Sequence, residues 1–359
     1  MMAAKRVVLA AALLAFGCWA PRPRLQPVPA VSLLGAGPLV VPFDIRLSGF
    51  RVGGLSAIAR AADGTYVAVV DGEGETPARV VRLAFRVSED GIAPPPGRTP
   101  GQVPVAAIGL AGLDGRNFDG EGIVVEPSGR MLVSSETEPS VRELSAEGEL
   151  VAALPVPPLF LASGRKGIRN NQGFESLTLT PDGKSLWTAN ERALQQDGAD
   201  DETRPSPVRL LRYDRRGGAG FVPGPQFVYP VEPIDHPGAG FSIRGLAELL
   251  ALPGGDLLAL EREFVTSRGF KIQLYRVSLA GATDVSAFDT LAGKTYTPVH
   301  KTLLYDFARA GFVPDNLEGM TFGPPLRDGS RTLVLVSDDN FSPLQQTQLV
   351  ALRWIESAP

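Results

Sequence analysis

Three glutamates recur in one local setting. Glu121, Glu175 and Glu318 are each preceded by Gly, Phe or Leu and followed by a small residue and then an apolar one. A second set, Asp71, Glu136, Asn190, Glu261 and Asp338, closes the apolar segment that follows each of five similar stretches. Glu191, Arg262 and Asp339 come directly after the last three. Repeated carboxylates of this kind suit hard cations held by oxygen, Ca²⁺ before Mg²⁺. Such ions activate water and clamp phosphate. The candidate metal ligands are therefore Asp71, Glu121, Glu136, Glu175, Glu261, Glu318 and Asp338. Without a cation, neighbouring carboxylates repel and raise one another's pKa. Arg169, Arg192, Arg262 and Lys301 are candidate phosphate contacts, because a guanidinium offers a planar fork to oxyanions. Glu121, Glu175, Glu318, Arg169 and Arg262 make up the candidate catalytic set. A second account stands beside this one: acidic and amide groups at strand ends also cap backbone N–H groups in tight loops.

The elements that must position these residues are repeated hairpins. "GGLSAIARAADGTYVAVVDG", "FDGEGIVVEPSGRMLVSSET", "GFESLTLTPDGKSLWTANER", "IRGLAELLALPGGDLLALER" and "DNLEGMTFGPPLRDGSRTLVLVSDDN" share one layout. Each has an apolar strand, a Gly-based turn, a second apolar strand and a polar end. In the inner strand one slot holds Ser56, Glu121, Glu175, Ala247 and Glu318. Alternating segments between the copies, such as "ARVVRLAFRV" and "KIQLYRVSL", supply two outer strands per repeat. Four strands per repeat around a chain is the pattern of a β-propeller. The expected fold is all-β, with five four-stranded blades counted and six as the alternative if a degenerate blade hides in a spacer. After the fifth hairpin only "TQLVALRWIE" remains, so N-terminal "LVVPFDIRL" is expected to close the ring. A parallel α/β fold is disfavoured, since no long amphipathic helix separates the strands.

Composition narrows the function. A net charge of −4 with no basic stripe excludes nucleic acid as an expected partner. Residues 1–18 read as a signal peptide, with Lys5 and Arg6 ahead of an apolar run from Val7 to Phe16. Cys18, the sole cysteine, sits where a bacterial lipoprotein signal places its acylated residue, so a lipid anchor or plain secretion is expected. Either way the protein is exported, to the periplasm or outer membrane, or outside the cell. Residues 19–38 are Pro-rich and read as a tether, leaving 39–356 as the propeller.

"RKGIRNNQGFESLTLTPDGKSLWTANERALQQDG", "FSIRGLAELLALPGGDLLALEREF", "KIQLYRVSLAGATDVS" and "NLEGMTFGPPLRDGSRTLVLVSDDNF" resemble successive blocks of the phytase-like propeller domain. Bacterial members are called "esterase-like activity of phytase" proteins. The resemblance runs from about residue 50 to 355 and implies a propeller that hydrolyses phosphoric or carboxylic esters. It also implies Ca²⁺ as the cofactor, since true propeller phytases are similar in bridging calcium ions with acidic residues. The implied partner is a small ester or phosphorylated substrate, and no organic cofactor is expected. Sparse basic content around the motifs argues against a highly phosphorylated substrate. A serine-esterase alternative lacks a G-x-S-x-G elbow and has only His236 and His300 to serve as base. A non-catalytic binding or scaffold module of the cell envelope is the remaining alternative.

Overall fold

The computed structural model describes residues 31–72, 76–199, 201–217, 220–234, 236–238 and 240–355. The signal peptide, Cys18 and most of the expected tether lie outside the described residues. Five antiparallel sheets stand around one axis. The first blade is Leu55–Arg60, Tyr66–Val70, Pro77–Leu83 and Pro104–Asp114. The second is Gly120–Val125, Met131–Ser135, Ser140–Leu144 and Leu150–Ala153. The third is Phe174–Leu179, Ser185–Asn190, Ser206–Arg215 and Phe221–Val231. The fourth is Ser242–Ala251, Leu257–Val265, Gly269–Ser278 and His300–Asp306. The fifth is Asn316–Phe322, Arg331–Asp338 and Thr347–Trp354, completed from the N-terminus. The count is therefore five blades, and no sixth is present among the described residues.

Two N-terminal segments pair with the last strand of the chain. Leu39–Val41 lies against Thr347–Leu349, as expected, and Val31–Leu33 lies against Leu352–Trp354. The second pairing corrects the tether, which does not reach residue 38. Apolar Val31 and Leu33 alternate across Ser32, so the segment has a face to bury, and Val31 packs beneath the fifth blade.

Packing follows the same circular logic. Tyr66–Val70 and Met131–Ser135 are buried at every position, because a second strand has a neighbouring blade on each face. The outer strand Leu150–Ala153 is exposed throughout. Five large apolar clusters fill the five interfaces between successive blades, including the one between the last blade and the first. A ring with a core at every junction has no open seam.

Innermost strands neighbour one another around the axis. At one level the five blades present Ala57, Gly122, Ser176, Glu248 and Gly319. A Cβ on Gly122 would sit 2.6 Å from the Leu177 nitrogen, and one on Gly319 would sit 2.7 Å from the Ala57 Cα. Four small residues thus let adjacent strands approach to backbone contact. Glu248 is the one large side chain at this level, and it is buried. Its carboxylate accepts N–H groups from Leu177 of the third blade at 3.3 Å and Leu249 of the fourth at 2.9 Å. The backbone of Met320, in the fifth, also bonds to it. Glu248 therefore ties the innermost strands of three blades together at this level.

Candidate metal centre

Every innermost strand carries a β-bulge at the same place. The register slips at Ser56, at Glu121–Gly122, at Glu175, at Ala247 and at Glu318. A bulge leaves one residue outside the ladder and re-aims its side chain. The recurrent slot seen in the sequence is this bulge. Three of the five blades place a glutamate there, and Glu121, Glu175 and Glu318 turn into one cavity of about 700 Å³.

Opposite the residue two before each bulge stands the second ring of side chains. Hydrogen bonding pairs Asp71 with Gly54, Glu136 with Asp119 and Glu191 with Gly173. Arg262 pairs with Gly245, and Asp338 with Asn316. Asp71, Glu136, Glu191, Arg262 and Asp338 all line the cavity. Two expectations are corrected here. Asn190 and Glu261 precede the true positions by one residue, and a one-residue slip in a strand moves a side chain to the opposite face. Asn190 is buried and donates to the Arg192 carbonyl. Glu261 does not line the cavity. It is buried under Arg244, Lys301 and the Tyr229 hydroxyl, so its charge is already matched.

The candidate phosphate contacts divide in the same way. Arg262 lines the cavity, with Nη2 2.8 Å from Glu191 and Nε 3.1 Å from Glu318. Arg169 instead ties its own loop by donating to the carbonyls of Ala193 at 3.2 Å and Gly198 at 2.7 Å. Arg192 pairs with Glu202, and Lys301 with Glu232 and Glu261. None of these three lines the cavity. His236 and His300 are exposed and outside it too, which removes the base that a serine esterase here would need. The Pro-Asp-Gly at the hairpin tip is turn chemistry: Asp182 accepts the Lys184 N–H at 3.1 Å and the Thr180 hydroxyl at 2.7 Å.

Ligand-grade geometry gathers on one side. Carboxylate oxygens of Asp71, Asp119 and Glu121 lie within 4.8 Å of one another, as do those of Glu121, Glu136 and Glu175. Glu121 belongs to both groups. Asp119 was absent from the sequence-based set, although it stands two residues before Glu121 in "FDGEG". The Gly72 N–H, at 2.6 Å, and the Thr137 hydroxyl, at 3.3 Å, hold its carboxylate in place. On the other side Glu318 accepts from Asn316 Nδ2 at 3.0 Å, and Asp338 from the Asn340 N–H at 2.7 Å.

Electrostatics follow from this crowding. Burial first, and then repulsion from its neighbours, pushes Asp71 up to about 10. Glu136 is pushed up to about 8, by burial first and then by repulsion from Asp119. Glu121, Glu175 and Asp338 are driven well above the usual carboxylate range, again mainly by burial. Burial also raises Glu191 and Glu318, while Arg262 pulls against it. For Arg262 burial acts to lower the pKa, but Glu318, Glu191 and Glu175 override it and keep the guanidinium charged. At neutral pH the metal-free cluster must therefore share protons among its carboxyl groups.

The donor set fits a hard cation. The cavity lining contains carboxylate and amide oxygens and no His or Cys. Asn316, which lines it, has a buried Oδ1 without a hydrogen-bond partner. Oxygen-only donors in this number match the six to eight that Ca²⁺ takes.

A family model described as Phytase-like, esterase-like activity of phytase, matches residues 51–341. An uncharacterized secreted protein of Arthroderma benhamiae is 30% identical over 201 residues, covering 47% of this chain and 39% of that protein. The chain thus matches well under half of that relative's length. Among solved structures, a bifunctional GH43-CE protein of Bacteroides eggerthii aligns with 12% identity and a TM-score of 0.44, covering 91% of this chain and 35% of the other. The periplasmic gluconolactonase of Pseudomonas aeruginosa aligns with 14% identity and a TM-score of 0.34, covering 87% and 91%. With the family model spanning most of the propeller, the chain belongs to the phytase-like family, the proteins described by an esterase-like activity of phytase.

Proposed function

We propose that the cavity is a calcium centre assisting hydrolysis of esters, phosphoric esters foremost, in an exported protein. The observation that carries this reading is the pair of carboxylate triads sharing Glu121. Capping explains a carboxylate bonded to one loop, as at Asp182. It does not explain carboxylates from three blades, all but Asp71 buried, converging on one another. Asp71, Asp119, Glu121, Glu136 and Glu175 would hold the ion. Bound there, Ca²⁺ would supply positive charge for an ester oxygen and lower the pKa of a coordinated water. Arg262 stands across the cavity, fixed between Glu191 and Glu318, and presents its charge to an anionic oxygen. Export is supported by the N-terminal sequence and by the name of the Arthroderma relative.

The test is an ester panel assayed with the full mature chain after chelation. Turnover abolished by chelator and restored by Ca²⁺ is expected. Turnover that survives complete metal removal, or a panel that stays silent in excess Ca²⁺, rules the reading out.

A further inference from the structure

The cavity is chemically two-sided. Across from the triads its wall is apolar: Phe241, Phe264 and Phe270 from the fourth blade, and Val313, Pro314 and Leu344 from loops of the fifth. Phe264 and Phe270 are 4.9 Å apart between ring centres, and Phe241 and Phe264 are 6.3 Å apart. This wall is not spare core. Phe241 is 62% exposed, Val313 86% and Leu344 93%. Large apolar side chains this open, clustered on a cavity rim, mark a surface that meets something.

We infer that this wall binds the apolar part of the substrate, so the preferred ester carries an aromatic or branched alkyl group and low charge. The inference rests on the calcium-centre reading and narrows its substrate. Three observations select this occupant. The wall is continuous with the carboxylate floor in one cavity, so a group seated on it is tethered within reach of Glu121 and Arg262. The cavity's size, about 700 Å³, is that of a small-molecule site. Its charge is the third: eight acidic side chains line it against Arg262 and Arg268. Both arginines are already paired, with Glu191 and Glu318 and with Glu263. With its carboxylates ionised, such a site stays net negative even with one or two divalent ions bound. A polyphosphorylated substrate brings many negative charges and needs a basic wall, which is missing here. An aryl or alkyl phosphodiester brings one.

The experiment measures binding as well as turnover. Calcium-loaded full chain is titrated with dimethyl phosphate, diphenyl phosphate and inositol hexakisphosphate by calorimetry, beside the variants Phe241→Ala and Leu344→Ser. Diphenyl phosphate is expected to bind at least about tenfold tighter than the dimethyl ester. The two variants should erase that gain and leave dimethyl phosphate binding unchanged. Equal binding of the two diesters overturns the apolar-wall assignment alone, leaving the metal reading intact. Tightest binding by the hexakisphosphate does the same. Failure of every ester to bind overturns both. Sedimentation of the same samples covers another occupant: a dimer that either variant dissociates would assign the wall to a second copy of the chain and overturn the substrate role.

Discussion

Glu121→Gln is the sharpest single perturbation, because Glu121 is the residue common to both triads. Its oxygens lie no more than 4.8 Å from those of Asp71 and Asp119 and from those of Glu136 and Glu175. At an effective dielectric constant of about 20, one fully ionised pair at that distance repels by roughly 3.5 kcal/mol. The cluster is only partly ionised when metal-free, since burial and repulsion hold its pKa values up. A net relief of about 1–2 kcal/mol is the reasonable share. For a domain larger than 250 residues that raises the metal-free Tm by roughly 2–4 °C. The same change removes a charged ligand, so Ca²⁺ affinity should fall at least about tenfold. Thermal melts with chelator and with a Ca²⁺ series read both effects at once. A metal centre predicts opposite signs: a stabilised metal-free protein and a smaller calcium-induced shift. If Glu121 merely capped backbone groups, Gln would lower the metal-free Tm and leave any response to calcium unchanged. That result would refute the metal reading of this residue.

Three further outcomes follow from the same structure. In chelator, stability should fall as pH rises from about 5 to 9, and added Ca²⁺ should flatten the trend. Carboxyls whose pKa is raised by folding bind protons better in the folded state, so their contribution is complete below the unfolded range near 4. It is lost as pH climbs through about 8 for Glu136 and about 10 for Asp71, and melts across that range check the sign. Arg262→Met should cost about 3–5 kcal/mol, because Glu191 and Glu318 are left buried without their cation. Denaturant titrations at pH 5 and 8 should show a smaller loss at the lower pH, where those carboxyls protonate. Glu248→Ala should destabilise by about 2–6 kcal/mol, as the N–H groups of Leu177 and Leu249 lose their acceptor, each worth about 1–3 kcal/mol. Glu248→Gln, which keeps an acceptor oxygen, should lose much less in the same chemical denaturation.

The ring was legible because its hairpins repeat a local pattern, two short apolar strands around a Gly turn, and local patterns survive in sequence. The bulge slot was legible for the same reason, as Glu121, Glu175 and Glu318 are each followed by a small residue and then an apolar one. The second slot was misplaced at Asn190 and Glu261, since both fit an acidic or amide pattern while the residue facing the cavity comes one later. Arg262 also breaks the sign of that pattern, being the counter-ion for its neighbours. Glu261 could be sorted only in three dimensions, because Arg244, Lys301 and Tyr229 reach it from different strands. A signal for Glu248 was present: aligned one position past the bulge, it stands among Ala57, Gly122, Ser176 and Gly319. The strand Val31–Leu33 was hidden by the Pro-rich sequence just before it.

Whether the carboxylates hold an ion is decided by a crystal structure of the full mature chain grown in Ca²⁺. The expected result is metal density bridged by Glu121, with oxygens of Asp71 and Asp119, or of Glu136 and Glu175, at about 2.3–2.6 Å. Carboxyl groups hydrogen-bonded to one another around an empty site in excess Ca²⁺ would contradict it.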